Sequence, residues 1–499
     1  AANWPVFAIL SPPPGAFLSA RELQPAPPRR AFFRRSGLGL GTMALASLLN
    51  ERLFAAPAAA PGPASPGALN PLHFAPRAKR VIYLFQSGAP SHIDLFDPKP
   101  KLRGMTGVEL PDSVRMGQRI TGMTSGQKHL LCVGSAFDFH RHGSCGMEIS
   151  DALPPLGKAV DDIALLRAVH PAPINHAPAV TYLFTGHQQP GRPTLGAWAS
   201  YGLGSENQDL PAFIVLLSGR GGQSLQTRYW GPGFLPSRHQ GVQFRGAGDP
   251  VLFFSNPPGL DAGARRAMLD DVQALNRLQL DAVGDPEIET RIQAYEMAFR
   301  MQTSVPELMD IAQESAETLE LYGAKPGEAS FANNCLLARR LVERGVRFVK
   351  LIHRDWDHHG GLPGGIRHQA KLTDQASAAL LQDLKRRGLL EDTLVVWGGE
   401  FGRTAYCQGE LKKDDFGRDH HPRCYSLWLA GGGIRGGVTH GVTDEFAYNI
   451  VSGGVHINDL HATILHCLGV DHERLTYRFQ GRDFRLTDVA GKVVQEVLA

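Results

Sequence analysis

Histidines and acidic residues recur together along this chain, and such mixed clusters can coordinate a cation or move a proton. The densest group is His353-Arg354-Asp355-Trp356-Asp357-His358-His359-Gly360. Asp355 and His359 stand four apart, so one turn can bring a carboxylate oxygen and an imidazole nitrogen to the same divalent metal. Zinc is the first candidate and manganese, calcium or iron the alternatives. Gly399-Glu400-Phe401-Gly402-Arg403 and Asp419-His420-His421 form two further groups, Ser91-His92-Ile93-Asp94 a fourth and Asn175-His176 a fifth. A single cluster of this kind is more often a hydrogen-bonded loop than a metal site. Several at the strand ends of one sheet carry more weight.

The surrounding pattern supplies such strands. Continuous apolar runs at 81–85, 163–166 and 211–217 read as strands covered on both faces. A helix is expected at 193–201. From residue 331 onward helices and strands alternate: helix 331–344, strand 346–352, helix 373–387, strand 393–397, then a strand at 424–430 preceded by Asp419-His420-His421. This is the alternation of βαβ units and predicts an α/β fold with a mostly parallel sheet between helices. In open sheets of this class ligands bind beyond the carboxyl ends of the strands. All the clusters except Asp419-His420-His421 stand at such ends. Between about 261 and 322 the chain is mainly helical: Ile288, Ile292, Tyr295 and Phe299 share one face, and Ser304-x-x-Glu307 has the spacing of a capping box that starts a helix.

Of 499 residues, 43% are hydrophobic and 20% charged, as in an ordinary globular chain with a large core. A formal net charge of +3 includes the N-terminal arginines, so the remainder is close to neutral and nucleic acid is not an expected partner. Six cysteines lie far apart without a C-x-x-C pair, which argues against a zinc ribbon or a dense disulfide scaffold while leaving one or two bridges open.

The N-terminus reads as an address. Arg29-Arg30-Ala31-Phe32-Phe33-Arg34-Arg35 precedes a mildly apolar, Gly-containing run at 37–49, too short to cross a membrane, and Ala58-Ala59-Ala60 offers a cleavage site. Residues 1–60 resemble a twin-arginine signal, which implies the twin-arginine export machinery as a partner and a periplasmic, envelope-associated or extracellular location. Residues 61–76 read as a linker. No later stretch approaches membrane-spanning length.

Several motifs resemble those of a known superfamily. Gly388 to Gly402, with its strand and Gly398-Gly399-Glu400-Phe401-Gly402 loop, Leu427-Trp428-Leu429-Ala430-Gly431-Gly432-Gly433, and His456 to Val470 are similar to segments of sulfatases and alkaline phosphatases. More closely, the twin-arginine start, Ser87-Gly88-Ala89-Pro90-Ser91-His92-Ile93-Asp94, Thr185-Gly186 with Pro190-Gly191-Arg192-Pro193, and Gly398 to Thr404 resemble the domain-of-unknown-function family 1501. The resemblance implies an alkaline-phosphatase/sulfatase-like α/β domain over 77–490.

It further implies a site. Asp355 and His359 match the superfamily's D-x-x-x-H metal pair, His421 or His420 its distal histidine, and Glu400 the place of an aspartate ligand. Gln86-Ser87-Gly88 replaces the usual acid after the first strand, with His92 and Asp94 as substitutes. At the nucleophile position the chain has His176, with Thr181 and Thr185 as candidate hydroxyls, and Arg192 or Arg403 would hold an anionic oxygen. The implied function is metal-dependent hydrolysis of phosphate or sulfate esters, on a small molecule or a polymer. The alternative is a non-catalytic exported scaffold that binds a glycan, an envelope polymer or a partner protein.

Overall fold

The computed structural model describes residues 67–499 apart from 172, 220–224, 247–249, 252–254, 258 and 413–414. The twin-arginine-like segment, its cleavage region and the start of the linker lie outside the described residues.

Eleven strands matter for the site. They are β1 (Arg80–Gln86), β2 (Ile163–His170), β3 (Phe213–Ser218), β4 (Val242–Phe244), β5 (Phe348–His353), β6 (Thr393–Gly398), β7 (Gly402–Gln408), β8 (Gly417–His421), β9 (Tyr425–Ala430), β10 (Val438–His440) and β11 (Val455–His456). A nine-stranded sheet runs β10-β2-β9-β6-β1-β5-β3-β4, with β11 also on β2. Only β9 runs against its neighbours; the other pairings are parallel. The mostly parallel α/β sheet expected from the sequence is therefore present, with β1 at its centre between β5 and β6.

Alternation along β1 shows why the sheet is covered on both sides. Ile82 and Leu84 enter one apolar cluster with Leu336 and Leu341 of α5 (Phe331–Glu343) and Leu380 and Leu384 of α6 (Leu362–Arg386). Val81, Tyr83 and Phe85 enter the other, with Phe184 of α1 (His176–Thr185), Trp198 of α2 (Leu195–Leu203) and Ile464 of α7 (Ile457–Cys467). Each fully buried leucine here is worth about 2–5 kcal/mol against alanine.

The helical region resolves into α3 (Ala262–Val283) and α4 (Pro286–Met309), followed by a short helix at Ala316–Tyr322. Ser304 does not start a helix: it lies inside α4, where its hydroxyl donates to Arg300 O, a helical i−4 carbonyl within reach, and to Asp209 O. Of the face predicted there, Ile288 and Ile292 are buried, whereas Tyr295 is exposed. Helix α6 begins at Leu362 rather than 373, because Pro363 in its first turn suits a helix start and Leu362, Ile366 and Ala370 extend its buried stripe. All six cysteines are free. Among the described residues no helix is long and apolar enough to cross a membrane.

Candidate metal centre

Four side chains from three parts of the chain meet beyond the carboxyl ends of the parallel strands. Asp357 and His359 follow β5, His176 opens α1 shortly after β2, and His420 projects from β8. One ligand atom from each lies within 4.8 Å of all the others. Asp357 is the hub: its Oδ1 stands 2.8 Å from His359 Nε2 and 3.5 Å from His420 Nε2, and its Oδ2 stands 3.2 Å from His176 Nε2. The Nε2 atoms of His359 and His420 face each other at 3.2 Å. That approach needs a bare glycine at 417, since a Cβ there would lie 1.9 Å from His359 O.

The other ring nitrogens explain the orientation. His176 Nδ1 meets Glu400 Oε1 at 2.5 Å, His359 Nδ1 meets Gln408 Oε1 at 2.5 Å, and His420 Nδ1 meets the carbonyl oxygen of Ile174 at 2.9 Å. All three partners are acceptors, so each Nδ1 carries its proton and donates, which leaves three Nε2 lone pairs turned inward. Metal-bound histidines are held in this way by outer acceptors. His176 Nε2 is buried, with Asp357 Oδ2 at 3.2 Å beside it. The residues thus fit a divalent cation, and three imidazoles with one carboxylate suit zinc or iron. Calcium takes oxygen ligands and fits this set poorly.

Electrostatics follow from the packing. Burial opposes a charge on Asp357, yet His176, His359, His420 and Arg403 hold its carboxyl far below the usual range. Burial likewise opposes a charge on His176, and its contacts with Asp357 and Glu400 outweigh that and raise its pKa. For His420 burial prevails despite Asp357, and the pKa falls to about 4.

The remaining candidates fall into three positions. Glu400 and Arg403 stand behind the cluster. The fully buried Glu400 carboxylate accepts from Gly88 N at 3.1 Å and Ala89 N at 3.2 Å besides holding His176. Arg403 donates to Asp357 Oδ1 at 2.6 Å, to Ala89 O at 2.9 Å, to Arg418 O at 3.2 Å and to Gly88 O, so it orients Asp357 rather than facing a ligand. His421, His92 and Asp94 are committed elsewhere. His421 Nε2 donates to Tyr448 O at 2.7 Å, His92 Nε2 to Ala447 O at 3.1 Å, and Asp94 pairs with Arg418 at 2.8 Å. Asp355, Thr181, Thr185 and Arg192 line cavities. Asp355 points into a cavity of about 840 Å³. The other three line one of about 260 Å³, where Thr181 donates to Ala177 O at 2.7 Å, Thr185 to Thr181 O at 2.7 Å, and Arg192 pairs with Asp488 at 3.1 Å.

Comparison with known proteins gives a family. Residues 78–498 match the family described as "Protein of unknown function (DUF1501)". The chain belongs to this family. No curated protein matches the sequence. Among solved structures, this DUF1501 chain is similar to the lipoteichoic acid synthase LtaP from Listeria monocytogenes, at 11% identity over 85% of this chain and 78% of that one, TM-score 0.35. It is similar to a protein in the alkaline phosphatase superfamily from Vibrio parahaemolyticus, at 10% identity over 82% and 69%, TM-score 0.35. A third is the PsFucS1 sulfatase from Pseudoalteromonas sp., at 13% identity over 80% and 69%, TM-score 0.33.

Asp357 is the residue of the cluster that spacing alone overlooked. In this DUF1501 member Asp355 has φ of +88°, a left-handed turn rarely held by a non-glycine residue. The turn sends Asp355 outward, Trp356 into the core and Asp357 into the cluster. Within β8, adjacent side chains take opposite faces, so His420 enters the centre while His421 stacks on Tyr448 at 4.0 Å. The signal available in the sequence was Asp357-x-His359 beside the paired histidines.

Proposed function

We propose that this protein is an exported, metal-dependent hydrolase of phosphate or sulfate esters. The observation that carries the reading is the convergence of three Nε2 lone pairs on Asp357, each fixed by an acceptor on its Nδ1. His176, Asp357, His359 and His420 would hold the cation. When bound, a divalent cation supplies Lewis-acid polarisation of an ester oxygen and favours deprotonation of water. Arg403 keeps Asp357 ionised and aimed, and Glu400 keeps the His176 proton on Nδ1. The nucleophile in this reading is water. Thr181 and Thr185 are bonded to backbone carbonyls, and Thr181 lies five residues along α1 from His176, about 7.5 Å of helical rise. Export rests on the twin-arginine-like N-terminus.

The test is to load the purified protein with zinc, manganese or iron, count the bound metal, and assay aryl phosphate and aryl sulfate esters beside His359→Ala. Stoichiometric metal with turnover lost in the variant is the expected result. Metal binding without turnover on any ester supports the exported binding scaffold instead, and no bound metal removes both the centre and the hydrolase reading.

A further inference from the structure

The cavity of about 840 Å³ next to the cluster is not used by the reading above. It opens between the carboxyl ends of β3 and β5, at Ser218 and His353, and is bounded by the start of α5 and the first half of α6. Ligands of open α/β sheets occupy this position, and the volume suits a molecule the size of a disaccharide.

Its charges point to the kind of molecule. Among the described residues, Arg354, Lys325 and Lys371 line it together with two carboxylates, Asp355 and Glu328. Lys325 and Lys371 are exposed, and among the described residues no carboxylate forms an ion pair with either of them or with Arg354. Arg354 holds the carbonyl of Gly219 with one Nη2 at 3.0 Å, which leaves further donors of its guanidinium for a ligand. The cavity floor is neutral and internally bonded: Ser218 Oγ donates to His353 Nδ1 at 2.9 Å, and His353 Nε2 donates to Gln369 Oε1 at 2.8 Å. Cations on the walls of a neutral, partly enclosed space attract an anion more strongly than the same cations in open water.

The cavity and the histidine cluster share one segment. Asp355 stands on the cavity wall and Asp357 in the cluster, so their Cα atoms are at most about 7 Å apart. Between them Trp356 is buried, with its indole N–H donating to Gln86 Oε1 at 2.9 Å and its backbone N–H to Ser87 O at 3.2 Å. These anchors hold the left-handed turn at Asp355, a conformation that costs about 1–3 kcal/mol and is kept where the surroundings impose it.

We propose that this cavity is a second anion subsite, which holds an acidic group on the carrier of the ester while the ester itself lies at the histidine cluster. The substrate class is then a multiply anionic, hydroxyl-bearing molecule, such as a sugar with more than one sulfate or phosphate. Arg354, Lys325 and Lys371 take the acidic group, and Asp355 and Glu328 accept from hydroxyls. The placement of the ester rests on the hydrolase reading; the anion subsite does not.

Calorimetric titration of the full, metal-free protein with sucrose octasulfate and with sucrose separates the two. Sucrose octasulfate is expected to bind, more weakly as salt rises, and sucrose to give no heat. Lys325→Glu combined with Lys371→Glu weakens sucrose octasulfate at least tenfold, and Lys371→Gln alone weakens it less. Both lysines are exposed, so the variants should melt as the parent does, and matched melting curves check that. Unchanged affinity in the folded double variant, or equal binding of sucrose, overturns the subsite even if ester hydrolysis is observed. Binding that is lost in the double variant while no ester is hydrolysed sustains the subsite and removes only the hydrolase reading.

Discussion

Asp94 and Asp357 are both buried aspartates set against an arginine, and they do different things. Asp94 is fully buried with Arg418, whose remaining donors go to the carbonyls of Val133, Thr404 and Gly134 at 2.9–3.1 Å. Ser91 completes that group at 2.5 Å from Asp94. Every strong donor meets a protein acceptor there, so the pair is complete within the fold. Around Asp357 the arginine is equally well held, yet three imidazoles turn their Nε2 atoms toward the same point. A closed network stabilises a structure; one with convergent spare lone pairs can take a ligand. Asp374 makes a third case. Its Oδ1 accepts from Leu156 N at 3.0 Å, its Oδ2 is buried without a partner, and burial raises its pKa to about 7.

The largest effect that would break this contrast is on folding. Asp94→Ala strands the buried Arg418 charge and should cost about 3–5 kcal/mol in urea unfolding, while the fraction that folds still binds metal. Equal loss of metal from that fraction would show that the two aspartates belong to one unit.

Asp374 should show itself through pH. Its folded pKa of about 7 exceeds the unfolded value of 3.8, so between pH 4 and 7 the folded state holds the proton longer. Stability from this group is therefore present below pH 4 and lost as pH rises to 7, by about 4 kcal/mol at most. Asp374→Asn should flatten the dependence and be the more stable protein at pH 8. A parallel loss in both proteins over that range counts against the assignment.

Metal binding comes next. At a free cation concentration a hundred times its Kd, the parent should gain about 2.7 kcal/mol, and His359→Ala should lose that increment. In the absence of metal the variant should match the parent or exceed it in stability, since it relieves the 3.2 Å approach of two Nε2 atoms. The smallest effect sharpens the contrast most. Glu400→Gln keeps the shape behind His176 but removes the carboxylate that fixes its Nδ1 proton, and metal affinity should fall about 10–100-fold. Unchanged affinity would mean that backbone packing alone orients His176.

The architecture was readable because its signals are local. Runs such as 81–85 and 394–397 are apolar throughout, as strands buried on both faces must be. Beyond their ends the clusters around 355–359, 400 and 176 were visible as sites of chemistry. Even His420 was visible, paired with His421. Helix starts were less legible: Ser304 carries a capping spacing but sits within α4, because its neighbours Val305 and Leu308 are buried on the helix face and carry the helix past it.

By itself, then, the sequence determined which strand ends carry polar clusters, the chemical types available and the family, since apolar periodicity and residue identity need no partner to be read. Tertiary structure alone decided which member of each pair is used. Asp357 rather than Asp355 faces the cluster because Trp356 is drawn into the core and forces the turn at Asp355. His420 rather than His421 faces it because β8 pairs with β7 in a register that sets His421 against Tyr448. Both choices rest on contacts between residues far apart in the chain, and spacing along the chain carries no record of them.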